Sequence, residues 1–342
     1  MDNDMQAATA YVFSVLVLGI VAYDVFQTVL APSASGLSSR WWYLFGWRAA
    51  RVMPVGLREA ALRVAGPLSI VATIGTWIVG MWLAFALLYL PSADALVYSP
   101  EVPFATRGLS EALYLSAAAL TTIGFGDVVA PTTSLRLLTT VEAACGLGLI
   151  TFTLGYLAAV YTVTSELRTS AQSVHDLGAD DPDVAAELVL LGGVSVLTSV
   201  HRDLVSVRQH MLRFPVLHAF HPPADESLVA LLRGATGLWL AARWGLCGGP
   251  GHMARPAIAL EQALSRLLDD TDRHLETFGG AVRSIQPNAE RARRLEGIRD
   301  SIRALNPERV GREPLDDEAA ALLARSDALI SRYAALHDYP DP

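Results

Sequence analysis

Apolar positions fall into two regimes along the 342-residue chain. In the first half they form long uninterrupted runs. In the second half they recur at helical spacing among arginines and acids. Crossing a bilayer takes roughly 20 apolar residues, and three stretches meet that length: Thr9–Ala31, Leu68–Leu90 and Leu137–Val163. The first follows an acidic "MDNDMQAA" and contains Asp24, unlike a cleaved leader, so a retained helix is expected. Beyond residue 165 the pattern predicts helices at 183–212, 224–246, 254–278, 281–305 and 315–336, separated by Pro/Gly-rich breaks. "LVALLRGATGLWLAARWG" is apolar, but Arg233 and Arg243 interrupt it, which predicts a buried core helix and not a span.

Between the second and third runs lies a segment of a different kind. Residues 110–120, "SEALYLSAAAL", predict a helix with Ser110 as N-cap and Glu111 in the first turn, too short to cross. It leads into "TTIGFGDVVAP" (121–131). A half-helix followed by irregular backbone at membrane depth is tolerated only where protein buries it or water lines it, and a pore meets that demand. Stripping water from K⁺ takes a ladder of oxygens. Successive carbonyls align only if some residues adopt left-handed torsions, which Gly124 and Gly126 permit. Thr122 adds a hydroxyl at the inner end, and Ile123 and Phe125 are expected to project into the supporting wall.

"TTIGFGD" after a short helix and between two spans resembles the pore-loop potassium channel family, two-transmembrane-per-pore type, over about residues 68–165. The resemblance implies a selectivity filter of Thr122, Ile123, Gly124, Phe125 and Gly126. K⁺ would sit on the carbonyls of the first four and on the Thr122 hydroxyl, and Asp127 would lie at the outer mouth. One filter per chain implies a homotetramer, unless a partner subunit supplies the others. Phe125 stands where tyrosine is commoner in the family. A carboxylate that braces the outer aspartate in some members is replaced here by Ala118. Gly146, nineteen residues past Asp127, lies where the family keeps an inner-helix hinge; the alternative is close helix packing, the reading preferred for Gly148 and Gly155. Leu147, Ile150 and Leu154 are candidates for the cavity lining. Glu142, an acid within the third span, is expected to support the filter through Ser116 or Thr121; the alternative is a glutamate near the surface with no such part.

The expected fold is therefore an all-α membrane protein: three transmembrane helices, a re-entrant pore helix and filter, and an all-α cytoplasmic domain. The parts are an extra N-terminal helix (1–31), an interfacial loop with an amphipathic helix (32–67), the pore domain (68–165) and the helical domain (166–342). Within the pore domain the outer helix is 68–90, the pore helix 110–120, the filter 122–126 and the inner helix 137–163. "SSRWWYLFGWRAARVM" (38–53) predicts an interfacial helix with its rings at headgroup depth. The 32–67 loop carries five arginines against Glu59. By the positive-inside rule that loop and the C-terminal domain are cytoplasmic and the N-terminus lies outside, in a plasma membrane. Asp24 is expected to pair with an arginine of this loop.

Composition narrows the partners. Net charge is −8, which argues against nucleic acid, and all 26 basic residues are arginine. The expected partners are K⁺, membrane lipids, further copies of the chain and an unidentified ligand of the cytoplasmic domain. No cofactor is expected. No strand–GxGxxG–helix unit occurs, and His210, His218 and His221 lack the companions of a metal site, so ordinary histidines are expected. No nucleophile–base or paired-carboxylate pattern suggests an enzyme. Two alternatives stand beside the potassium channel: a weakly selective cation channel, and a membrane-anchored scaffold acting through its helical domain. A potassium uptake transporter would carry four filters in one chain.

Overall fold

The computed structural model describes residues 2–31, 36–98, 108–246, 254–277, 304 and 317–336. The expected helix at 281–305 lies outside these residues, apart from the isolated residue 304. The chain divides into two compact units, one of residues 1–46 and 67–160, the other of 47–66 and 161–342. The boundary therefore places 47–66 with the C-terminal half, whereas the sequence grouped all of 32–67 as one loop.

The first unit is built from long apolar helices. α1 (Asp2–Val25) runs into a π-helical turn at Phe26–Leu30. α2 (Leu37–Val52) is the helix expected at the interface. α3 (Val55–Tyr89) extends the expected outer helix by thirteen residues at its start, continuing through Pro67. α4 (Leu109–Leu120) is the half-helix, and α5 (Thr133–Asp176) extends the expected inner helix at both ends. A two-residue antiparallel ribbon, β1 (Val97–Tyr98) and β2 (Val128–Val129), is the small exception to an all-helical fold among the described residues.

Among the described residues, apolar clusters join these helices. Val21 and Val25 of α1 pack with Trp77 of α3 and Leu149 of α5. Phe85 and Tyr89 of α3 pack with Ala112 and Leu115 of α4. Elsewhere α1 exposes Val12, Phe13, Val15, Leu16 and Ile20. A helix apolar on all sides and packed on only one suits a lipid solvent.

Asp24 is buried and has different partners from those expected. It accepts from Trp77 Nε1 at 2.6 Å, from the Ser38 backbone N–H at 3.1 Å and from the Ser38 hydroxyl. The carboxylate thus serves α2 as an N-cap supplied from another helix, where the helix dipole favours an anion. Arginine is unnecessary there because three donors already point at the carboxylate. Trp42 Nε1 adds a bond to Thr76 Oγ1 at 2.7 Å, fixing α2 to α3 a second time.

The second unit is a bundle of α6 (Pro182–Glu187), α7 (Gly193–Arg213), α8 (Leu228–Leu246), α9 (Ala254–Thr277) and α10 (Asp317–Leu336). α8 is its centre: Leu231, Leu232, Leu238 and Trp239 are fully buried, as its apolar sequence requires. The Asp181 side chain caps α6. A π-helical turn at Leu188–Gly192 joins α6 to α7.

Among the described residues, four helical stretches are long and apolar enough to cross a membrane, one more than the sequence count: 5–30, 56–95, 133–176 and 183–213. The fourth arises because α6, the π turn and α7 run on without a break. Its α7 part buries Leu197, Val200, Leu204, Val207 and Met211 and is rich in contacts with α9. One narrow apolar stripe facing a polar side is the pattern of a bundle helix.

Candidate functional site: the re-entrant loop

α4 starts at Leu109, one residue before the expected N-cap, so Ser110 lies inside its first turn. The helix ends at Leu120, and its last carbonyls are used at once. Ala117 O accepts from Thr121 N, Ala119 O from Thr122 N, and Ala118 O from both Ile123 N (3.1 Å) and Gly124 N (3.2 Å). The first residues of the loop are thereby tied to the end of the helix that delivers them.

The backbone then alternates. Thr122, Gly124 and Gly126 have φ of +58°, +55° and +79°, whereas Ile123 and Phe125 keep negative φ. Thr122 is the single non-glycine residue with positive φ among those described. An ordinary strand turns successive carbonyls to opposite sides; alternating handedness brings them to one side. Glycine accepts such torsions without a Cβ penalty, and threonine does so at a cost that its surroundings must bear. Residues 121–126 are all exposed in the single chain, Phe125 to 70%.

Asp127 has a brace that the sequence did not reveal. Tyr114 donates its hydroxyl to Asp127 Oδ2 at 2.8 Å, and Val128 N–H donates to Oδ1 at 3.1 Å. Tyr114 precedes Ala118 by four residues and so lies on the same face of α4, one turn earlier. A longer side chain from that turn covers the gap that alanine leaves. The available signal was a tyrosine at that register, while Glu142 bonds Tyr89 and Ser116 elsewhere.

Glu142 instead joins three helices behind the half-helix. Fully buried on α5, it accepts from Ser116 Oγ of α4 at 2.5 Å and from Tyr89 OH of α3 at 2.7 Å. Ser116 also lies 2.9 Å from Trp82 O, and Trp82 Nε1 donates to Leu113 O at 2.8 Å. Thr121, the other expected partner, turns back to Ala117 O.

The glycines of α5 lie in different surroundings within the single chain. A Cβ on Gly146 would lie 2.0 Å from Leu120 O, so the missing side chain lets α5 approach the backbone at the end of α4. Gly148 and Gly155, for which packing was expected, have no atom of the chain within 4 Å of a Cβ position. Leu147, Ile150 and Leu154 are exposed on the single chain.

Comparison with known proteins agrees with this geometry. Residues 72–163 match the family described as "Ion channel". That segment is similar to an ion-channel domain. Over 225 residues the chain is also 28% identical to the uncharacterized membrane protein YdjJ of Bacillus subtilis (strain 168). The match covers 63% of this chain and 64% of that relative, so less than two thirds of the relative's length is spanned. No solved structure matches the chain.

Proposed function

We propose that four copies of the chain form a potassium-selective channel that conducts K⁺ passively, with Thr122, Ile123, Gly124, Phe125 and Gly126 as its filter. The observation that carries this reading is the alternation of φ at 122, 124 and 126 directly after a helix too short to span. Carbonyls aligned by such alternation replace the hydration shell of K⁺. In this reading the pore domain covers 68–165, Asp127 lies at the outer mouth and Glu142 supports the filter from behind. The inner helices carry the gate, with Gly146 as hinge, and the permeant ion is the only small species needed. Exposure of Ile123 and Phe125 supports the tetramer, because bulky apolar side chains flanking a pore need neighbouring copies to cover them. The positive-inside asymmetry puts the N-terminus outside and the helical domain in the cytoplasm.

Flux from liposomes tests the proposal. Purified protein is expected to pass K⁺ and to exclude Na⁺. Gly124→Ala, which forces a Cβ onto a left-handed torsion, is expected to abolish flux. Equal passage of both ions would leave a weakly selective cation channel. No flux in any condition would favour the scaffold reading.

A further inference from the structure

α2 sits where a span ends. The apolar run that contains α1 closes at Ala31, and α2 begins at Leu37. Its first turn is tied to α1 by the bonds from Ser38 to Asp24, and its Trp42 is tied to α3 by the bond to Thr76. A helix anchored this close to the end of an apolar span lies at the level where lipid headgroups begin.

The two sides of α2 differ. Ser39, Tyr43, Trp47 and Ala50 are buried. Across the helix from them, Arg40, Trp41, Phe45 and Arg48 are exposed, and their three- and four-residue spacing puts them on one outward face. The rings of Trp41 and Phe45 stack on that face, with centroids 5.3 Å apart and planes inclined by 3°.

The same face carries unmatched positive charge. The sequence of α2 has three arginines and no acid. Arg51 lies over the Trp47 ring, 4.8 Å from its centroid. Arg40 and Arg48 have no carboxylate partner among the described residues. The whole chain carries a net −8, so α2 is a local reversal of sign. Water suits the arginines but not two large exposed rings, and hydrocarbon suits the rings but not guanidinium groups. A phospholipid headgroup, with the carbons beneath it, meets both demands. Guanidinium groups take phosphate oxygens in a paired fork, and the rings lie against glycerol and the upper acyl carbons.

The missing counter-charge decides which headgroup fits. A zwitterionic lipid brings its own ammonium and leaves the charge of the arginines uncompensated. A lipid with net negative charge neutralises it. The α2 of a second copy would bring like charge, which disfavours that occupant.

We propose that the outward face of α2 binds anionic phospholipid, with headgroup phosphates on Arg40 and Arg48 and the carbons below along Trp41 and Phe45. The site lies on one continuous helix, outside the 72–163 stretch that matches the ion-channel family, and does not depend on conduction.

Lipid retention by the full-length protein tests the site. Protein in detergent is mixed with equal mole fractions of phosphatidylglycerol and phosphatidylcholine and passed through gel filtration, and the retained lipid is extracted and counted. The wild type is expected to prefer phosphatidylglycerol by about tenfold or more, since each arginine at an anionic surface is worth about fivefold. Arg40→Gln and Arg48→Gln should each cut that preference about fivefold. Trp41→Ala should lower retention of both lipids. Arg63→Gln removes a guanidinium already paired with Glu59 and should leave the preference unchanged. Salt at about 1 M, where the Debye length is about 3 Å, should erase the preference of the wild type. That arm decides the matter if the arginine variants fail to fold. The site is overturned by no preference in the wild type, or by a preference that survives both arginine variants or high salt. Unchanged retention in Trp41→Ala, or a loss in Arg63→Gln equal to that in Arg40→Gln, would also overturn it. Displacement of the lipid by inorganic phosphate at the same concentration would make this a site for a free anion and overturn the lipid assignment. Flux is no part of the readout, so a protein that conducts nothing can still pass or fail this test.

Discussion

Tyr114 shows how one side chain can take over a position the sequence leaves empty. Ala118 removes the expected brace of Asp127, and Tyr114 restores a hydrogen bond at 2.8 Å from one helical turn away. Tyr114→Phe keeps the ring and deletes that bond. Time courses of K⁺ flux from liposomes should show conduction decaying severalfold faster in the variant, and an unchanged time course would deny the brace a part in holding the mouth open. Gly146 gives a second contrast at this scale. Gly146→Ala forces a methyl group onto the Leu120 carbonyl, an overpacking that costs about 1–3 kcal/mol, while Gly148→Ala meets open space. Thermal unfolding in detergent should therefore fall for the first and stay level for the second. The torsions of Gly124 and Gly126 were legible because "TTIGFGD" leaves few backbone solutions behind a half-helix. The left-handed torsion at Thr122 was not, since threonine carries no local signal for positive φ.

Among elements, Glu142 is the group through which α3, α4 and α5 meet. It accepts from Ser116 and Tyr89 at once, so its removal strands the buried Tyr89 hydroxyl, while Ser116 keeps Trp82 O at 2.9 Å as an acceptor. Glu142→Ala should cost about 1–3 kcal/mol for that orphaned group. Glu142→Gln keeps one acceptor and should fall between the variant and the wild type, as read by unfolding in detergent. The helices themselves followed from apolar run length, and their ends were set by packing that run length does not record. α3 continues through Pro67 and α5 through 176 because each extension packs in the helical unit. Contacts that join distant stretches were illegible for the same reason. Asp24 with Trp77 and His218 with His274 are separated by more than fifty residues, and nothing local to either pair specifies the other.

For the whole molecule, the 72–163 stretch that matches an ion-channel family falls almost wholly in the first compact unit, and its Ile123, Phe125, Leu147 and Leu154 are exposed on the single chain, open to cover by further copies. If four copies supply it, the mass of the particle in detergent, after subtraction of the micelle, should be four times the 36.7 kDa chain. A monomer of that size would leave the filter without a closed cage. The central claim, potassium selectivity through the 122–126 backbone, is tested most directly by the reversal potential of reconstituted protein with K⁺ on one side and Na⁺ on the other. The account predicts a potential close to the K⁺ equilibrium value, collapsing toward zero or losing all current in Gly124→Ala. A wild-type potential near zero with robust current would contradict it.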